Sequence, residues 1–226
     1  TGKSAKKLAE KLNITFSVDI SDIPASADLY VISVNDDSVF GLTENKILKE
    51  KIKNNLVVHT AGSIEMRVLK KISSNYGVFY PLQTFSKNKI LDFKDIPVCI
   101  EANSGFNRDK LEKYASGING DVRFINSEQR KYIHLAAVFA NNFSNRMFGI
   151  AEEILKEKEI KFDILLPLIK ETFEKIKHNP PSKVQTGPAV RNDEKVMEMH
   201  LELLKNKPEL QKIYSFVSRN IKISKQ

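Results

Sequence analysis

Between Asp28 and Ile125 the chain alternates short apolar runs with stretches of helical periodicity, and nothing else in it constrains the fold as much. DLYVISV (Asp28–Val34), NLVVHT (Asn55–Thr60), GVFYPLQTF (Gly77–Phe85), IPVCIEA (Ile96–Ala102) and DVRFI (Asp121–Ile125) have strand length and no polar alternation. Strands of that kind are buried on both faces. Helical patterns lie between them: after Asn35 to about Lys53, from Gly62 and Ser63 through Ile72, and from Asn107. Strands separated by helices specify a parallel, doubly wound sheet of the Rossmann type. Its ligand sits where the C-terminal ends of the strands open into a crevice. Before this series, TGKSAKKLAEKL reads as an amphipathic helix with Ala5, Leu8, Ala9 and Leu12 on one face, and ITFSV (Ile14–Val18) as a short strand.

From Asn126 the texture changes and no strand pattern recurs. Asn126 or Ser127 caps a long helix to about Lys158, and Ile164 to His178 form a second. The loop NPPSKVQTGPAVR follows, then helices from about Asn192 to Leu204 and from about Pro208 to Arg219. The expectation is therefore an α/β domain over residues 1–125 and an all-helical domain over 126–226. The helical half is rich in large apolar residues, among them Leu165, Leu166, Leu168, Ile169, Phe173, Ile213, Tyr214 and Phe216. A small helical domain cannot bury them all internally, and removing them from water is favourable at about 25 cal/mol per Å². A two-fold dimer through this half is expected.

Composition narrows the function classes. The single cysteine, Cys99, rules out a disulfide framework and points to a reducing compartment, the cytoplasm. No signal peptide is visible. The most apolar helical stretch, YIHLAAVFA, is too short to span a bilayer and contains His134. The formal net charge of +8 comes mostly from scattered lysines, with no basic run interleaved with aromatics and no nucleic-acid motif. A lysine-rich solvated surface accounts for it, and an anionic small ligand is compatible with it. The four histidines lack metal-ligand spacing, so no metal is expected. Neither a Gly-x-Ser-x-Gly elbow nor a P-loop is present.

Three constellations could carry chemistry. The first is at the strand exits: Val34, Asn35 and Asp36 after one strand, His59, Thr60 and Ser63 at the next, Gln83 and Thr84 at the third. Helix capping accounts for Ser63 and part of Asp36, but not for His59 or Gln83. The second is on the long helix, where His134, Asn141 and Asn145 fall within roughly 40° of one another at 100° per residue. Inter-helix hydrogen bonding is the structural alternative to a site there. The third is the loop QTGPAVRND, in which Gly187 and Pro188 fix a turn and Arg191 offers a fork-shaped cation. A solvated connector is the simpler account of it.

The segments HTAGS, GVFYPLQTFS, HLAAVFANNFSN and QTGPAVRND resemble those of a bacterial Rossmann-like oxidoreductase family with a helical C-terminal domain of unknown function. That family is distantly similar to pyrroline-5-carboxylate reductase and 6-phosphogluconate dehydrogenase. The resemblance spans essentially the whole chain. It implies a dinucleotide-binding first domain, a dimerising helical domain on the substrate side, and NADP as cofactor. It also implies a preceding strand and Gly-x-Gly-x-x-Ala/Gly phosphate loop, a unit of about 30 residues that this sequence lacks. Thr1, Lys3 and Ser4 would then meet the adenosine ribose and its phosphate, with no acidic residue before Glu10 to select NAD. Val34, Asn35, Asp36, His59, Thr60 and Ser63 would line the cofactor, and Gln83, Thr84 and Arg191 the substrate. The Lys-x-x-x-Asn pair of the dehydrogenases is absent: Asn141 and Asn145 keep the spacing without the lysine. The expected activity is reduction or oxidation of a small anionic substrate between the domains, with His134 as general acid, since imidazole titrates near neutrality. A nucleotide-binding sensor without hydride transfer is the alternative.

Overall fold

The computed structural model describes residues 2–86, 89, 91–118 and 120–224. The chain divides into two compact units, Thr1–Asn145 and Arg146–Gln226. The change of texture near Ile125 thus lies inside the first unit, because the helix after it packs with the sheet.

The first unit holds a five-stranded sheet in the order β1 to β5, with the strands Tyr30–Ile32, Leu56–His59, Asn75–Pro81, Val98–Ala102 and Val122–Phe124. The helices are α1 (Gly2–Leu12), α2 (Asp36–Thr43), α3 (Lys46–Ile52), α4 (Gly105–Ile118) and α5 (Ser127–Ala137). This is a Rossmann-type α/β fold, followed in the second unit, among the described residues, by helices and no strand. Strands β1, β2 and β3 are parallel, as are β4 and β5, but β3 and β4 run antiparallel. The all-parallel expectation fails at that one pair for a physical reason. A parallel pair needs a crossover, usually a helix, and between Pro81 and Val98 the described residues form only a single 3₁₀ turn, Phe93–Asp95.

Residue alternation along the strands makes two cores on two faces. Ile32 and Val57 pack with Val39, Leu48, Ile52 and Leu69 on one. Val58, Phe79, Val98 and Ile100 pack with Leu111 and Ala115 of α4 on the other. Ile14–Val18 forms no strand: no described residue pairs with it, and Ile14, Phe16 and Val18 are exposed. The stretch from Gly62 to Ile72 forms a 3₁₀ helix over Met66–Lys71 rather than an α-helix.

The long helix is continuous from Ser127 into α6 (Ser144–Lys156), but its middle, Val138–Phe143, is π-helical. The second unit comprises most of α6 with α7 (Leu166–His178), α8 (Pro181–Val184), α9 (Glu194–Leu203) and α10 (Pro208–Ile223). Among its described apolar residues only Ala189 is buried. Met147, Ile150, Ile154, Leu210, Val217 and Ile221 line an apolar cavity of about 290 Å³ within it. No helix among the described residues is long and apolar enough to cross a membrane.

Candidate functional site

The register of the sheet builds the site. Ile32, His59, Val78 and Glu101 lie in one row across β1 to β4. Side chains in a row share a face, so His59 and Glu101 flank Val78 on the side that α5 covers. From α5, Arg130 reaches this row. Its Nη1 donates to Glu101 Oε2 at 2.7 Å, and its Nη2 donates to the Ile64 carbonyl and, at 3.3 Å, to Ser127 Oγ. Ser127 Oγ donates to the same Glu101 oxygen at 2.6 Å and accepts from the Met66 N–H at 3.0 Å. Arg130 is fully buried and the Glu101 side chain 16% exposed. One guanidinium thus ties α5, β4 and the loop after β2 together.

One turn further along α5 is His134, and two residues further along β3 is Tyr80. Four helical residues rise about 6 Å and two strand residues about 6.6 Å, so anchoring Arg130 beside Val78 brings His134 beside Tyr80. Tyr80 Oη lies 3.3 Å from His134 Nδ1, and the two rings meet edge to face. Burial, the largest cause, raises the Tyr80 pKa above the usual phenol value, so the hydroxyl stays protonated and can donate.

The pair opens into a cleft of about 700 Å³, whose polar lining also includes Gln83, Thr84, Asn141 and Asn142. Leu82, Phe85, Ile133 and Val138 supply its apolar walls. Gln83 Oε1 accepts from the Thr84 N–H at 2.8 Å. The π-helical turn decides which amides face the cleft. With i→i+5 bonding each residue turns through less than the α-helical 100°, and Asn142 joins Asn141 in the lining, whereas Asn145 is not part of it.

Gly62, in the loop after β2, closes the back of the pair. A Cβ there would lie 2.5 Å from His134 Nδ1, 2.8 Å from its Cγ and 3.1 Å from Tyr80 Cζ. Gly62→Ala is expected to push the imidazole off the tyrosine and cost about 1–3 kcal/mol. A urea melt measures the cost, and the His134 ring resonances report the displacement. An unchanged melt with unmoved resonances would count against this packing.

The other expected residues fall as follows. Val34 is 43% exposed just beyond β1. Asn35 caps α2, its side chain accepting from the Ser38 N–H at 3.0 Å. Asp36 accepts a hydrogen bond from Ser63, joining the exits of β1 and β2. Thr60 Oγ1 is 3.4 Å from Ser33 Oγ. Lys3 and Ser4 stand exposed on the first turn of α1, and Thr1 lies outside the described residues. Arg191 is an exposed turn residue of the second unit.

His59 points into the core rather than the crevice. It is fully buried, and its Nδ1 accepts from the Ala61 N–H at 3.2 Å. The ring proton of the neutral imidazole is therefore on Nε2. Burial first, and the Arg130 charge second, lower its pKa to about 4. An unfolded imidazole takes its proton near pH 6.5. Between those values the unfolded chain binds more protons, so stability is expected to fall as the pH drops from about 6.5 to 4, by up to about 3 kcal/mol. His59→Gln should remove that part of the slope in denaturant melts across this range, and an unaltered slope would contradict the assignment.

Tyr80 and Arg130 escape the sequence reading. Tyr80 lies inside an apolar run that reads as strand to Phe85, although Pro81, which has no N–H to give a ladder, marks the end of β3. Arg130 sits among polar helix-start residues. Its one sequence signal is the partner: Glu101, an acid in an otherwise buried strand.

Residues 96–221 match the model of a family described as a domain of unknown function, DUF2520. The crystal structure of a "putative NADP oxidoreductase" from Bacteroides fragilis is 43% identical, with 98% of this chain and 85% of that one covered and a TM-score of 0.91. A protein from Thermotoga maritima shares the fold at 22% identity, with coverage of 98% and 86% and a TM-score of 0.73. So does an imine reductase from Myxococcus stipitatus in complex with NADP+, at 14% identity, 97% and 81% coverage and a TM-score of 0.62. No curated protein matches the sequence.

Proposed function

The chain belongs to the DUF2520 family, and from that premise we propose that it is an NADP-dependent oxidoreductase reducing a C=O or C=N bond of a small molecule held in the Tyr80–His134 cleft. The observation that carries the reading is the hydrogen-bonded tyrosine–histidine pair at the mouth of a partly polar cleft, on the side of the sheet where β2 and β3 end.

The strand exits fit the nicotinamide half of a dinucleotide. Val34 offers an exposed apolar side chain, Asn35 an amide and Thr60 a hydroxyl, at the crevice where such sheets bind nucleotides. Lys3 and Ser4 are the residues we assign to the ribose phosphate, which favours NADP over NAD. When bound, the dinucleotide supplies the hydride. The protein supplies the proton. Tyr80 Oη donates to the substrate heteroatom as negative charge builds there, and a proton taken up from solvent and relayed through His134 Nδ1 restores the phenol. Asn141 and Asn142 orient the substrate through their amides, with Gln83 and Thr84 opposite them on the loop after β3. The exposed apolar side chains of the helical unit, including Leu168, Phe173 and Phe216, are covered by a second copy in this reading.

The test is oxidation of NADPH and of NADH by the protein against a panel of 2-oxo acids and cyclic imines, with light scattering on the same sample. Turnover with a preference for NADPH, by a dimer, is expected. Tight NADPH binding without turnover of any substrate would make the protein a nucleotide sensor instead. A monomer at micromolar concentration would refute the covering copy.

A further inference from the structure

A second concavity, of about 420 Å³, lies at the other end of the parallel strands, where β2 and β3 begin. Lys49, Lys53, Lys70 and Lys71 line it together with Ser74 and Tyr76, and no acidic residue does. Lys71 is paired with Glu44, both side chains being exposed. Among the described residues, no carboxylate lies within 4.0 Å of the ammonium groups of Lys49, Lys53 or Lys70.

The walls are a fixed frame. Ser73 Oγ donates to the Asn55 carbonyl at 2.6 Å, the Ser74 N–H to the Lys53 carbonyl at 2.9 Å, and Asn103 Nδ2 to the Ser74 carbonyl at 2.8 Å. Lysines scattered on a convex surface keep apart and are solvated. Here three unpaired ammonium groups on exposed lysines border one hollow, and a shared counter-charge would lower their mutual repulsion beyond what water and salt screen. The hollow has the size of a small-molecule pocket. Lysine recognises phosphate as a point charge through charge-assisted hydrogen bonds, and a multivalent anion can engage several of these amines at once.

We propose that this hollow binds a small molecule carrying a polyphosphate group. It is separate from the dinucleotide crevice, because the four residues of β2, about 13 Å of strand, lie between the two ends. The inference does not depend on the oxidoreductase reading.

Inorganic tripolyphosphate is titrated calorimetrically into the full chain at constant ionic strength, with and without saturating NADPH. One site, indifferent to NADPH, is expected. Lys49→Gln/Lys53→Gln and Lys70→Gln should each weaken binding about tenfold or more, while Lys170→Gln, on the exposed face of α7, should leave it unchanged. ATP binding more tightly than tripolyphosphate would identify a nucleotide as the source of the phosphates, and equal binding a free polyphosphate. No binding, competition by NADPH, or an equal loss in Lys170→Gln would overturn the proposal. A single-stranded oligonucleotide binding in preference to both phosphates would also overturn it, in favour of an extended nucleic-acid surface.

Discussion

Arg130→Met is expected to cost about 3–5 kcal/mol of stability, because it strands the Glu101 carboxylate in the interior without its cation. At roughly 2–4 °C per kcal/mol for a chain of this size, the midpoint of a thermal melt should fall by about 6–20 °C. The loss is large because the guanidinium serves three elements at once: β4 through Glu101, the loop after β2 through the Ile64 carbonyl, and the first turn of α5 through Ser127. A companion variant separates the ion pair from the packing. Arg130→Met with Glu101→Leu removes both charges and should recover much of the loss, since an apolar pair of similar volume avoids desolvation. If the single variant melted within 1 kcal/mol of the parent, the charge would not be buried as described. If the double variant were no better than the single, the carboxylate would not be the source of the cost.

Tyr80→Phe is expected to lower turnover by 10²–10⁴-fold, the usual contribution of a positioned proton donor, while changing NADPH affinity little. The ring stays, so its edge-to-face contact with His134 and its strand pairing to Cys99 survive. Only the hydroxyl goes, at about 1 kcal/mol of stability. The outcome is read from single-turnover kinetics beside a dinucleotide titration. Equal losses in binding and turnover would make Tyr80 a structural residue, and unchanged turnover would move the proton donor elsewhere. His134→Gln should behave similarly but less severely, because the tyrosine hydroxyl remains to donate.

What the sequence makes legible is periodicity, and what it hides is register. The five strands are readable because unbroken apolar runs such as NLVVHT have few other uses. Strand direction is less so: the turn from parallel to antiparallel at β3 and β4 shows in the chain only as a missing helical pattern after Phe85. His134, Asn141, Gln83 and Thr84 are visible as polar residues in apolar surroundings, and they do line one cleft. Asn145 illustrates the limit, since a helical wheel assumes a constant angle per residue and the π-helical turn at Val138–Phe143 breaks that constancy without any Pro or Gly to announce it. His59 is visible as an odd residue in an apolar strand, but a single sequence does not say whether such a residue faces the crevice or the core. Its place in the row with Val78 and Glu101 does.

A helix and a strand advance at different rates, and on this face of the sheet they are laid side by side like the two scales of a vernier. Arg130 beside Val78 is one coincidence of the marks and His134 beside Tyr80 is the next. One residue inserted between Arg130 and His134 would slide the upper scale by about 1.5 Å and turn it by about 100°; one inserted at Phe79 would slide the lower by about 3.3 Å and invert it. Either error separates the pair. Insertions and deletions are thus disfavoured in two very short windows, 131–133 and residue 79, for reasons of commensurability that at the buried Phe79 add to those of packing. Gln83 and Thr84 lie past the last mark, so their place in the cleft is set by the loop itself, through the Thr84 N–H held by Gln83 Oε1, and not by the two scales.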